Sequence, residues 1–193
     1  MYSYLLGMYL GDGYISHTRR TYRFQVSLHK RQEGIIARVA RAIAVLRPGY
    51  PVGFRRRGAV TIVNAYWNAW PMLFPEHGAG RKNRRPIVLE PWQQRIVEQH
   101  PVDFLRGCIE SDGCRHRRVV AGRNYPAYSF QNHSTDILEL FIWVSGLVGL
   151  RPRRSNRATV SLARRADVAT LDSLFSASDS PEVEPRISSP APP

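Results

Sequence analysis

Hydrophobic positions along this chain follow two rhythms, and the switches between them lay out its elements. Tyr22, Phe24, Val26 and Leu28 alternate with Arg23, Gln25, Ser27 and His29, the period of a strand with one apolar face and one polar, basic face. Ile35, Ile36, Val39, Ala40, Ile43 and Leu46 then share one side of a helix, with Arg38 and Arg41 opposite, and Pro48-Gly49 stops it. A second strand pair is expected around Val52–Arg56 and Ala59–Ala65, turning near Arg57-Gly58, and a short helix around Trp67–Phe74. Upstream, the apolar run ending at Asp12-Gly13 reads as a short helix.

The same succession returns later. A second apolar run ends at Asp112-Gly113, and strands are expected near Arg115–Val120 and Tyr128–Asn132. A long helix opens on Ser134, a good N-cap with Asp136 in its first turn, and its apolar residues on most sides predict deep burial. Further strands near Arg151–Ser155 and Ala158–Ala163 precede a last helix over Asp167–Phe175. The likeness extends to residues. Leu5 to Gly13 resembles Leu105 to Gly113 at an offset of 100. Phe24-Gln25 recurs as Phe130-Gln131 at an offset of 106, and Leu46-Arg47-Pro48 as Leu150-Arg151-Pro152 at 104. Ordered landmarks at nearly one offset mark two copies of one unit. Each unit is α-β-β-α-β-β-α, an α+β chain divided into a first unit over 1–75, a basic connector and helix over 76–101, a second unit over 102–175, and a Ser/Pro-rich tail over 176–193 expected to be disordered. Within the connector, Arg81-Lys82-Asn83-Arg84-Arg85 is a basic loop, and Pro91 opens a helix carrying Trp92, Ile96 and Val97.

Charge narrows the partner. Lys and Arg number 28 against 15 Asp and Glu, a formal net charge of +13, which points to a polyanion, most commonly nucleic acid. With 43% hydrophobic residues the chain is no disordered polybasic segment. The most apolar stretch, Ile137 to Leu150, contains Glu139 and is too short to span a bilayer. No basic stretch precedes the first apolar residues, so no signal peptide is expected. The two cysteines, Cys108 and Cys114, form no C-x-x-C pair, and the six histidines fall in no zinc-binding pattern. These features suit an intracellular, cytoplasmic or nucleoid-associated protein with reduced thiols.

The chemistry gathers at the two Asp-Gly helix ends. A carboxylate at a helix C-terminus meets the negative end of the dipole. One such Asp-Gly is usually a turn or a cap, with the glycine in a left-handed C′ position. Two at matching places in two repeats ask for a compensating positive charge, which a divalent cation shared by Asp12 and Asp112 would supply. Gly7 and Gly11 on the first helix, and Gly107 and Ser111 on the second, are small residues four apart. Such spacing lets two helices approach closely and brings their aspartates together.

The two Asp-Gly motifs resemble the LAGLIDADG signature, and two copies resemble the single-chain members of that homing endonuclease family. The resemblance covers both motif helices, the element order and roughly residues 2–175. It departs where Leu10 replaces the first acidic position, which Glu110 keeps, and where Arg106 replaces a small apolar residue. The chain opens almost on its first motif, which points to residues upstream of it. The resemblance implies two pseudo-symmetric units packed through two central helices. Each would lay a saddle-shaped antiparallel sheet in the DNA major groove. It implies hydrolysis of one phosphodiester per strand across the minor groove, with 3′ overhangs. Mg²⁺ would be held by Asp12 and Asp112 with help from the backbone at Gly11 and Ser111, and would activate water. Lys82, or Arg85, is the candidate for the basic residue that steadies the transition state. The expected DNA-reading residues are Arg23, Gln25, His29, Arg55 and Arg57 (or Arg56) in the first unit, and Arg115, Arg117, Gln131, Arg153 and Thr159 in the second. Because the two sets differ, the duplex target should be long and only partly palindromic, and one chain should suffice as a monomer. A non-cleaving DNA-binding regulator and an RNA-binding intron maturase of the same fold are the competing readings.

Overall fold

The computed structural model describes residues 1–179. The first unit is α1 (Tyr2–Gly11), β1 (Gly13–His17), β2 (Tyr22–His29), α2 (Glu33–Leu46), β3 (Gly53–Arg57), β4 (Val60–Tyr66) and α3 (Trp70–Leu73). A 3-10 turn at Lys82–Arg84 and helix α4 (Pro91–Gln99) connect it to the second. There follow α5 (Pro101–Asp112), β5 (Gly113–Val120), β6 (Arg123–Gln131), α6 (Thr135–Leu147), β7 (Arg153–Asn156), β8 (Thr159–Leu162) and α7 (Arg165–Asp179). The two four-stranded antiparallel sheets share one order, β1-β2-β4-β3 and β5-β6-β8-β7. This is the expected α+β architecture of two like units. α7 runs four residues past the expected Phe175, so 176–179 are helical, and the remainder of the expected tail lies outside the described residues.

Helices α1 and α5 form the centre. Apart from Gly11, every residue of α1 is buried, because its apolar side chains face all round and leave no polar side for water. Gly7 and Gly107 explain how closely the two helices pack. A Cβ on Gly7 would stand 2.4 Å from the Phe104 carbonyl, and one on Gly107 would stand 2.2 Å from the Tyr4 carbonyl. The backbones therefore touch, as the small-residue spacing predicted. A single core runs through both units, including Leu5, Met8 and Phe24 from the first and Phe104, Phe130 and Phe141 from the second.

Gly13 and Gly113 depart from expectation. Neither has a positive φ; Gly113 is extended at φ −109. Their lack of a side chain serves close approach instead, since a Cβ would stand 2.4 Å from Tyr9 Cα and 2.6 Å from Ile109 Cα respectively. The strand doubles back over the last turn of its own helix, and only hydrogen fits there.

Ser134 caps α6 as expected, its hydroxyl accepting the Ile137 N–H at 3.5 Å. The helix is less enclosed than its composition suggests. Ile137, Leu138, Phe141 and Val144 are buried, Ile142 and Trp143 only partly, and Leu147 is exposed. Arg106, the departure from the signature, is buried in α5 and donates to the Phe175 carbonyl, tying α7 to the central helix. Glu110 is likewise structural, accepting from Tyr4 Oη at 2.7 Å and pairing with Arg38 at 3.2 Å. Among the described residues no helix is long and apolar enough to cross a membrane.

Candidate active site

Because α1 and α5 run side by side, their acidic C-termini meet. Asp12 caps α1 and Asp112 closes α5. Asp112 Oδ2 lies so near Gly11 that a Cβ on that glycine would stand 3.1 Å from it. Crowding and mutual repulsion favour the uncharged acids. Asp12 is pushed up to about 6, first by lost hydration and then by the Asp112 charge. Asp112 is also raised, by lost hydration, while the Asn132 hydrogen bond and the fields of Lys82 and His133 oppose the shift.

The connector brings Lys82 to this point. Its ammonium donates to the Tyr9 carbonyl, to Leu10 O at 3.1 Å and to Gly11 O at 2.8 Å, all at the open end of α1. Burial lowers Lys82 to about 8 although both aspartates pull the other way. Arg85, the alternative basic candidate, turns elsewhere. It donates to the carbonyls of Glu76 at 3.2 Å and Gly80 at 3.1 Å and so shapes the loop. A cavity of about 750 Å³ opens here, lined among others by Gly11, Lys82, Asn83, Asp112, Asn132 and His133. Asp12 is not part of its wall.

Asn132 is a site residue that the sequence did not reveal. Its Nδ2 donates to Asp112 Oδ2 at 2.8 Å, while its Oδ1 accepts the Ser134 N–H at 2.8 Å, which fixes the amide's orientation. The nearest available signal was its place directly after Gln131, at the end of a strand paired through the repeat. Ser111, expected to offer its backbone, turns its hydroxyl inward to Gly107 O at 2.9 Å and Cys108 O at 3.0 Å.

The donor set suits a hard cation. Carboxylate and carbonyl oxygens are the preferred ligands of Mg²⁺, Ca²⁺ and Mn²⁺, and two repelling acids gain from a positive ion between them. Among the described residues no group of three or more His, Cys, Asp or Glu surrounds such a point, so water, backbone or phosphate oxygens would complete the shell.

Strand register sorts the remaining candidates by face. In the first sheet, Arg23 faces Tyr66, Gln25 faces Asn64, His29 faces Val60, and Arg57 faces the same Val60. Arg23, Gln25, His29, Arg55 and Arg57 therefore share the outer face with Tyr14 and Asn64, while Arg56 points to the helix side. In the second sheet the parity of β5 is opposite to expectation. Arg115 pairs with buried Tyr128 and Gly113 with buried Phe130, so Arg115 and Arg117 lie on the helix side. Arg115 grips Asp172 of α7 through two bonds of 2.9 and 2.8 Å. The outer face instead carries Cys114, His116 and Arg118 with Gln131 and Arg153. Thr159 shares that face but is only 8% exposed, and its hydroxyl accepts from Gln131 Nε2 at 3.5 Å. It supports Gln131 rather than reaching outward.

No protein-family model and no curated protein matches the chain, but solved structures do. The homing endonuclease I-DmoI, a variant in complex with its target DNA in the presence of Mg, superposes with a TM-score of 0.61 at 13% identity, over 91% of this chain and 95% of that one. The LAGLIDADG meganuclease I-AabMI, bound to uncleaved DNA, gives 0.57 at 11% over 92% and 83%. A variant of I-SmaMI gives 0.59 at 9% over 92% and 84%. This is the LAGLIDADG fold. In it, the paired helices with acidic ends and the two flanking sheets described above span nearly the whole chain. Other I-DmoI structures contain DNA with Ca or with Mn.

Proposed function

We propose that the protein is a site-specific, metal-dependent endonuclease of the homing type that cuts double-stranded DNA. The observation that carries this reading is the convergence of Asp12 and Asp112 at the joined ends of α1 and α5, on the axis between two sheets with Arg-bearing outer faces. The net charge of +13 draws a polyanion toward those faces. Arg23, Gln25, His29, Arg55 and Arg57 on one sheet, and His116, Arg118, Gln131 and Arg153 on the other, offer the fork and amide donors that read base edges and phosphates. Both halves lie in one chain, so a monomer suffices, and their unlike faces suit a long, partly asymmetric target.

Asp12 and Asp112 would hold the divalent ion, Mg²⁺ in the cell, with the Gly11 backbone nearby. When bound, the ion supplies Lewis-acid stabilisation of charge on phosphate oxygens. The rest belongs to the chain. Asn132 holds one Asp112 oxygen and so orients the carboxylate. Lys82, seated on the last carbonyls of α1, acts on both carboxylates through space. The cavity over Asp112 admits a backbone phosphate while the two sheets fix the duplex on either side.

The test is a cleavage selection on a randomised duplex library with Mg²⁺, run beside Asp12→Asn/Asp112→Asn. Cut products enriched around one long motif, with 3′ overhangs and absent in the double variant, are expected. Sequence-specific retention without cuts, equal in both proteins, would establish a DNA-binding regulator instead, and preferential capture of structured RNA a maturase.

A further inference from the structure

Lys82 is built into the end of α1 more completely than a phosphate-contacting side chain needs. An ammonium has three N–H donors. All three are matched by the carbonyls of Tyr9, Leu10 and Gly11. None is left for a substrate while this arrangement lasts. Those carbonyls are the open, negative end of the helix dipole. Asp12 extends the same end, and Asp112 lies against Gly11. Three sources of negative potential therefore meet at one ammonium. The loop that delivers it is shaped in advance. Arg85 clasps the carbonyls of Glu76 and Gly80, and Gly80 takes the left-handed φ of +79 that turns the chain before Lys82. The end of α5 is closed differently, by Ser111 within the helix and by Asn132 on Asp112.

We propose that Lys82 is the resident counter-ion of the carboxylate pair: it holds the joined helix ends together without a divalent cation, and yields the Gly11 carbonyl when such a cation arrives. This rests on reading Asp12 and Asp112 as the cation site. Lys82 is then a positioning residue that competes with the ion for the Gly11 carbonyl and, through space, for the field of the two carboxylates, so it raises the stability of the empty protein and weakens the ion's hold.

A mutant cycle on the full chain, free of DNA, separates this from simple helix capping. Thermal unfolding with EDTA is measured for Lys82→Met in the wild-type and in the Asp12→Asn/Asp112→Asn backgrounds, then repeated with Ca²⁺. Lys82→Met is expected to lower Tm by about 4 °C in the wild-type background and by less than half of that where the aspartates are neutral. Ca²⁺ is expected to raise the Tm of Lys82→Met more than that of wild type, and to do nothing in the asparagine background. Lys82→Gln, which keeps two N–H donors without the charge, shows the same coupling and replaces Lys82→Met if the latter does not fold. Equal losses in the two backgrounds overturn the proposal and leave Lys82 a plain cap. A Ca²⁺ gain no larger in Lys82→Met than in wild type overturns it too. No Ca²⁺ response in either protein is the failure of the cation-site reading itself, and takes the proposal with it.

Discussion

Arg115 and Arg118 show how much one position matters on a strand. Side chains alternate at a period of two, so a register misjudged by one residue exchanges the faces. Cys114-Arg115-His116-Arg117-Arg118 has no apolar residue to mark the core side. Its inner face is identified only by the partner strand, where Tyr128 and Phe130 are buried. Asp172 makes an arginine acceptable there by accepting both of its forks. In β2, by contrast, Phe24, Val26 and Leu28 mark the inner face unaided. The assignment predicts that Arg118→Ala weakens binding to duplex DNA by about 1 kcal/mol or more, while Arg117→Ala changes it less than twofold. Fluorescence anisotropy at low salt measures both, and the reverse ranking would restore the other parity.

At the scale of elements, the contact between α1 and α5 rests on glycine. In an isolated helix, Gly→Ala is favourable by about 1 kcal/mol, because alanine restricts the unfolded chain. At Gly107 the added methyl would meet the Tyr4 carbonyl at 2.2 Å and the Met8 nitrogen at 2.8 Å, both rigid backbone. The overlap costs about 1–3 kcal/mol or more, so the steric effect wins. At Gly146 of α6 nothing lies within 4 Å of the added carbon, so only the helical preference acts. Gly107→Ala should therefore lower Tm and Gly146→Ala raise it, in the same unfolding experiment. A rise for both would mean the central helices have room to separate. Such a separation would also pull apart the two aspartates, so Gly107→Ala bears on the site as well as on the fold.

The whole molecule stores acidic charge in places that resist it. Glu76, in the connector, is 7% exposed and is pushed up to about 7 by burial, with Gln93 donating to its carboxylate at 3.1 Å. A folded-state value above the ordinary one of 4.5 means that the native state binds the proton more tightly than the unfolded chain. The stabilisation is then complete below about 4.5 and is lost as pH rises through about 7. Asp12, raised to about 6, acts in the same direction. Removing Glu76 isolates its share. The Tm of Glu76→Gln minus that of wild type should grow as pH rises from 5 to 8, measured in EDTA. A difference independent of pH would show that Glu76 is already ionised in the native state at pH 5.

The sequence alone determined the two-unit plan, the α+β order, the close-packing glycines and the two acidic helix ends, because each is written in local spacing or in repetition. Periodicity needs only neighbours, and a duplicated motif needs only comparison within the chain. Tertiary structure decided what depends on partners distant in sequence. It placed Lys82 on carbonyls some seventy residues away. It turned Asn132 onto Asp112, sent Arg115 to Asp172, and assigned Gly13 and Gly113 to close approach rather than to a left-handed turn. Spacing states which residues lie on one face of an element; which face is covered, and by what, is settled only when the elements pack.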